Sequence, residues 1–266
     1  MVNVDDDEKN AGEDEKPEFV GAWVDHPDRV RPWRGSTTEL MMYFPPFPEP
    51  GAIGGPPALE PHDPVRARRI VETLGTVDEV LEQLPARRRG ELEEPTERAE
   101  LAYVAVGCWG NYVWVSDPAL GDYGMGCGMD EEVELQRELN PEARIVGTMH
   151  MDYGLNYYQD LVDLPGGRQV DASGWGDADP GIEVHGDPEE LLRAVGIDPA
   201  SVRDVYMDPE EPDDPGYGNW GAYTDLFLGG FGDFGWSATE DLKVSVFRVR
   251  RSERAEGDLK EVWLGS

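Results

Sequence analysis

Lysine is scarce in this 266-residue chain: only four of its 23 basic residues are lysine (Lys9, Lys16, Lys243, Lys260), so 19 are arginine. Against them stand 56 acids, for a net charge of −33. A surface this negative repels phosphate, which argues against nucleic acid as a partner. No apolar run approaches the roughly 20 residues needed to span a bilayer, so no membrane span is expected. The N-terminus is acidic and polar and offers no apolar segment for a secretory signal. Cysteine is nearly absent. Cys108 and Cys127 allow a single bridge, and they read foremost as small buried thiols in a reducing compartment, with a disulfide as the alternative. Their spacing is not that of a metal-binding C-x-x-C pair. Nucleotide-binding signatures are missing too: there is no Walker A loop, and Gly124-Met125-Gly126 lacks the third glycine of a dinucleotide fingerprint.

What is present is enough apolar residue (39%) to build a core. The acid excess with arginine in place of lysine resembles the cytoplasmic proteins of salt-in halophiles and their viruses. The Debye length falls to about 3 Å at 1 M salt, so self-repulsion is screened there. A cytoplasmic, high-salt location, or a virion in a halophilic host, is therefore expected.

Residues 1–17 read as an acidic flexible tail, with seven acids and two lysines. Residues 18–64 read as short strands, including 39–44, and a proline-rich arm, with eight prolines between 45 and 64. Residues 65–100 read as a helical hairpin and a charged loop. Pro64 suits a first helical turn, with Val65, Ile70, Val71 and Leu74 on one face and Gly75 as the stop. Thr76 and Glu79 have the spacing of a capping box for a second helix through Leu84. Arg66, Arg68, Arg69, Arg87, Arg88 and Arg89 make a basic island there, to be paired internally or to dock an acidic group.

Residues 101–266 read as an α+β body. Residues 101–107 and 111–116 have the β-branched and aromatic content of a hairpin. Helices are expected at 130–139 and 187–195, the latter capped by Asp187 and stopped by Gly196. Strands are expected at 144–149, 223–228, 242–250 and 261–264, the last two pairing across the polar loop 252–258. The fold class is α+β: a mixed, β-rich body with short helices, a helical hairpin and a proline-rich N-terminal arm. Gly-Cys-Trp-Gly-Asn-Tyr (107–112) and Gly-Asn-Trp-Gly-Ala-Tyr (218–223) share G-x-W-G-x-Y.

Three constellations could carry chemistry. In the first, a strand (145–149) runs into His150, with Asp152 two residues on and Asp163 beyond. Histidine and carboxylates past a strand end suit a metal. The segment resembles the JAMM/MPN metallopeptidases, whose strand ends in Gly-x-x-His-x-His-Pro before a Ser and an Asp. Gly147, His150 and Asp163 match, while Asp152, Tyr153 and Asp160 depart from that pattern. The resemblance covers about a dozen residues. It implies zinc held by His150, Asp152 and Asp163, amide hydrolysis by a metal-activated water, and Glu100 as the nearest counterpart of the catalytic glutamate.

The second constellation is a set of glycine-aromatic-acid loops. Their anchors Trp109, Tyr112, Trp175, Trp220, Tyr223 and Trp236 suit a protein contact surface; sugar or Ca²⁺ binding is the alternative. The third is Cys108 or Cys127 as a nucleophile with His150, around which no signature gathers. The expected function is therefore a salt-adapted binding or structural protein within an assembly, a virion component included, that meets a protein partner or its own copies. The alternative is a metal-dependent hydrolase centred on His150, with zinc as its cofactor.

Overall fold

The computed structural model describes residues 30, 36–47, 59–121, 128–152, 156–175, 181–200 and 240–264. The acidic tail, residues 48–58 of the proline arm, Cys127, the strand at 223–228, and Trp220, Tyr223 and Trp236 lie outside the described residues.

The strands are β1 (Ser36–Tyr43), β2 (Val77–Gln83), β3 (Arg87–Arg88), β4 (Tyr103–Trp109), β5 (Tyr112–Ser116), β6 (Arg144–Asp152), β7 (Asn156–Leu164), β8 (Arg168–Trp175), β9 (Ile182–His185) and β10 (Lys243–Arg251). Together they form one antiparallel sheet in the order β2-β10-β4-β5-β1-β6-β7-β8-β9, with β3 also on β10. Among the described residues four short helices accompany it: α1 (Pro64–Val71), α2 (Gly128–Leu139), α3 (Pro188–Ala194) and α4 (Glu253–Leu259). The fold is thus α+β with a β-rich body, as the residue patterns predict.

Both faces of the sheet are covered, which explains why β4 and β5 read as continuous apolar runs instead of alternating ones. One face carries Leu40, Val106, Val115, Ile145 and Phe247 against Ile70 and Val71 of α1, Val133 of α2 and Leu259 of α4. The other carries Tyr43, Trp109, Tyr112, Val146 and Val162 together with Leu191 and Leu192 of α3. Each buried leucine or phenylalanine side chain contributes roughly 1.5–3 kcal/mol of transfer free energy.

Local signals set several elements as expected. Asp63 caps α1, its carboxylate accepting the Val65 and Arg66 N–H groups, with Pro64 in the first turn. Asp187 caps α3 through the Glu190 N–H, and Gly196 follows the helix at φ +85°. Strands β4 and β5 pair as a hairpin across Gly110 at φ +62°. Gly107 has a packing reason. The indole of Trp109 folds back over it, so a Cβ at 107 would lie 2.1 Å from the ring. The G-x-W spacing therefore marks a tryptophan lying on its own strand.

Three expectations are corrected. The second helix over 76–84 is strand β2, so there is no helical hairpin. The Thr76 hydroxyl, expected as a cap, instead donates to Asp117 at 2.6 Å. The acids of β2 face arginines of β10, Glu82 opposite Arg248 and Glu79 opposite Arg250, and these cross-strand charge pairs favour the extended form. The C-terminal strand is also a helix: Ser252 caps α4 by accepting the Ala255 N–H, and the chain continues as a π-type turn, Lys260–Leu264. Trp263 there is buried and donates to the Pro118 carbonyl at 3.0 Å. In α1, Val65 is exposed, and Ala67 takes its place on the buried face. Strand β1, from within the segment 18–64, lies between β5 and β6 near the middle of the sheet.

Candidate functional site

The His150 constellation does not converge. β6 does not end in a loop at 150; it runs on to Asp152 and pairs with β7. Tyr158 lies opposite His150, whereas Asp163 lies opposite Ile145. Five residues of strand separate the two positions, about 17 Å at 3.4 Å per residue, and the odd spacing puts them on opposite faces. Asp163 is held by Arg137, whose guanidinium lies 3.1 Å from its carboxylate and donates to its backbone carbonyl at 2.7 Å. His150 stacks on Tyr158 with ring centroids 4.4 Å apart. Asp160 is buried on the same face as His150, two residue pairs along, and Asp152 is opposite Asn156.

Gly147, the other match to the metallopeptidase pattern, makes room for Met129, whose sulfur would lie 2.6 Å from an added Cβ. Glu100 caps its own turn, accepting the N–H groups of Thr96 (2.7 Å) and Glu97 (3.0 Å). Those bonds hold its pKa below the usual glutamate value. Among the described residues no group of three or more His, Cys, Asp and Glu is placed to hold a metal ion. The ligand set is therefore corrected at Asp163, which the register parts from His150, and at Glu100, which is held in its own turn, while Asp152 stays two positions from His150 along β6.

Nucleophilic chemistry fares no better at Cys108. Burial pushes its thiol up to about 12, which leaves almost no thiolate at neutral pH. It faces α1 on β4, three strands from His150 on β6. A histidine that the sequence did not single out lies beside it. His62 Nδ1 accepts the Cys108 N–H at 3.2 Å, and its Nε2 lies 2.9 Å from Ser245 Oγ. A backbone N–H can only donate, so the neutral ring carries its proton on Nε2 and donates to Ser245. Burial lowers the His62 pKa and keeps the ring neutral. Ser245 is thus a hydrogen-bond acceptor of His62, and His62 cannot serve it as a base.

The proposed contact aromatics divide. Trp109 and Tyr112 are buried, stack on each other at 6.0 Å, and belong to the core, so their assignment to a contact surface is corrected. Trp175 is half-buried, edge-on to Tyr157 at 5.0 Å. In the arginine island, Arg68 pairs with Glu72, Arg88 with Glu91 and Asp241, and Arg89 with Glu39. Arg66 bonds to the Gly110 carbonyl and lies over the Phe44 ring. Internal pairing accounts for these four.

The most developed polar cluster joins distant parts of the chain in a seam under the sheet. Asp117, wholly buried, accepts from Thr76 Oγ (2.6 Å) and Ala119 N–H (2.9 Å) and lies 2.7 Å from the Arg251 guanidinium. Arg251 also donates to the Leu101 carbonyl at 2.6 Å. Next to this pair, Glu132 of α2 accepts from the Gly75 N–H (2.8 Å) and Gln136 Nε2 (2.9 Å). Burial raises its pKa to about 7, with the Asp117 charge adding to the rise. A carboxyl that titrates near neutrality is suited to proton transfer. Both Glu132 oxygens are committed to the fold, however, and the side chain is fully buried, so the seam is built to hold α1, α2, β10 and α4 together.

The fold and these sites define an α+β protein organised on a single antiparallel sheet. Residues 22–266 match the model of a family described as "Family of unknown function (DUF6333)", and the chain belongs to that family. No curated protein and no solved structure matches it.

Proposed function

We propose that this protein works by binding, as an acidic component of an assembly whose partner presents a basic protein surface. The observation that carries this reading is the charge balance. If all 23 cations pair one to one with carboxylates, a surplus of 33 acids still has no cation within the chain. The described surface shows such pairing, with Arg168 on Glu190, Arg248 on Glu82 and Arg193 on Glu189. The exposed acids steer a basic partner toward the protein. A second copy carries the same charge, so self-association is favoured only where salt screens it. The same surplus supports a salt-rich compartment as the place of action.

The test is to isolate the tagged full chain from its own cells in about 0.1 M and about 1 M KCl, where the Debye length is about 10 Å and about 3 Å. A stoichiometric basic protein held at the lower salt and released at the higher is expected. A chain that comes away alone at both salts would overturn the proposal.

A further inference from the structure

In a chain with 56 acids and 23 bases, an arginine without a carboxylate is out of place. Among the described residues Arg69, Arg87 and Arg98 are exposed and make no ion pair or side-chain hydrogen bond, and of these only Arg98 lines a cleft. It stands at the rim of a cleft of about 240 Å³ between the turn that precedes β4, the end of β10 and the C-terminal helix. Leu101, Val249, Leu259 and Leu264 give the cleft an apolar lining, and Lys260 stands at the rim with Arg98. The other cations of the lining are committed. Arg250 is held by Asp78 and Glu79, Arg251 by Asp117, and Lys260 lies 3.7 Å from Glu256. Of the cations that line the cleft, Arg98 alone has no carboxylate partner among the described residues. The helix widens to its π-type turn over Lys260–Leu264, both ends of which line the cleft. Such turns occur frequently at functional sites.

We infer that this cleft binds a small amphipathic carboxylate, its head on the Arg98 guanidinium and its tail on the leucine-lined floor. One free guanidinium matches one carboxylate, in both charge and fork geometry. At the packing density of protein interiors, about 0.75, the space holds roughly 180 Å³ of ligand, about ten non-hydrogen atoms. An eight-carbon straight-chain acid is of that size. Apolar pockets with one well-placed polar group are the ordinary form of small-molecule sites.

The experiment is a titration of the ¹⁵N-labelled full chain with octanoate, followed by amide chemical shifts. Saturable shifts are expected at Leu101, Val249, Leu259 and Leu264, with a Kd on the order of 0.1–1 mM for a ligand this small. Arg98→Ala should weaken binding about tenfold and Arg98→Lys should restore part of it. Octanol, which has no charge, should bind both proteins alike, and octylamine should not bind. Shifts that never saturate, shifts centred elsewhere, or equal octanoate affinity in Arg98→Ala would overturn the inference. Arg98 is exposed, so its replacement leaves the fold intact for the comparison.

Discussion

Asp117 and Glu132 are both fully buried acids in one seam, yet the chain treats them in opposite ways. Around Asp117 it assembles a guanidinium, a hydroxyl and a backbone N–H. Around Glu132 it supplies an amide and a backbone N–H within hydrogen-bond reach, and leaves the carboxyl with a pKa near 7. The difference is one of charge compensation. At Asp117 a guanidinium stands 2.7 Å from the carboxylate. At Glu132 desolvation dominates, opposed only in part by the Arg254 charge, and the proton is retained to a higher pH. The Asp117 half is therefore an electrostatic joint, and the Glu132 half is a hydrogen-bonded joint that titrates.

The largest expected effect comes from breaking the first half. Asp117→Ala leaves the Arg251 guanidinium buried without its counter-charge, which should cost about 3–5 kcal/mol, read as a lower urea midpoint at unchanged slope. A loss under about 1 kcal/mol would show that Arg251 finds compensation in the Leu101 and Tyr103 carbonyls.

The second half gives a smaller effect that depends on pH. The folded pKa of Glu132 is about 7, above the ordinary 4.5 of the unfolded chain. Between those values the folded state keeps a proton that the unfolded state has released, so this group's contribution falls as pH rises through that window and is flat above it. Glu132→Gln cannot ionise. It should be more stable than the parent at pH 8, by on the order of 3 kcal/mol at most, and should match it near pH 4.5. Parallel stability curves for the two proteins across this range would show that Glu132 does not titrate there.

The smallest effect lies away from the seam, at His150. Its ring stacks on Tyr158, a contact worth roughly 0.5–1.5 kcal/mol. His150→Ala should lower stability by no more than that and leave the metal content, by mass spectrometry of protein purified without chelator, unchanged. Bound zinc that disappears with His150 would restore the hydrolase reading.

These sites differ in how far they can be read from residue order. The hairpin of β4 and β5 is legible because β-branched and aromatic residues fill two short runs around a glycine turn. Helices α1 and α3 are legible because Asp63-Pro64 and Asp187-Pro188 are local caps. The failures share a cause. Thr76 and Glu79 have capping-box spacing, but Asp117, 41 residues away, takes the hydroxyl, and β10 takes the strand. Asp163 looks like a ligand of His150 until the β6–β7 register sets it on the other face. Trp109 looks like an exposed anchor until the second layer covers it.

By itself, then, the sequence determined the α+β class, the capped helices, the central hairpin and the acidic surplus, since each depends on composition or on contacts a few residues apart. Tertiary structure decided that 77–83 is a strand, that residues 253–264 are helical, that His150 and Asp163 part, and that Asp117 meets Arg251. Those outcomes depend on which distant group competes for a hydrogen bond, a charge or a sheet edge, and nothing within a few residues of these positions encodes that competitor.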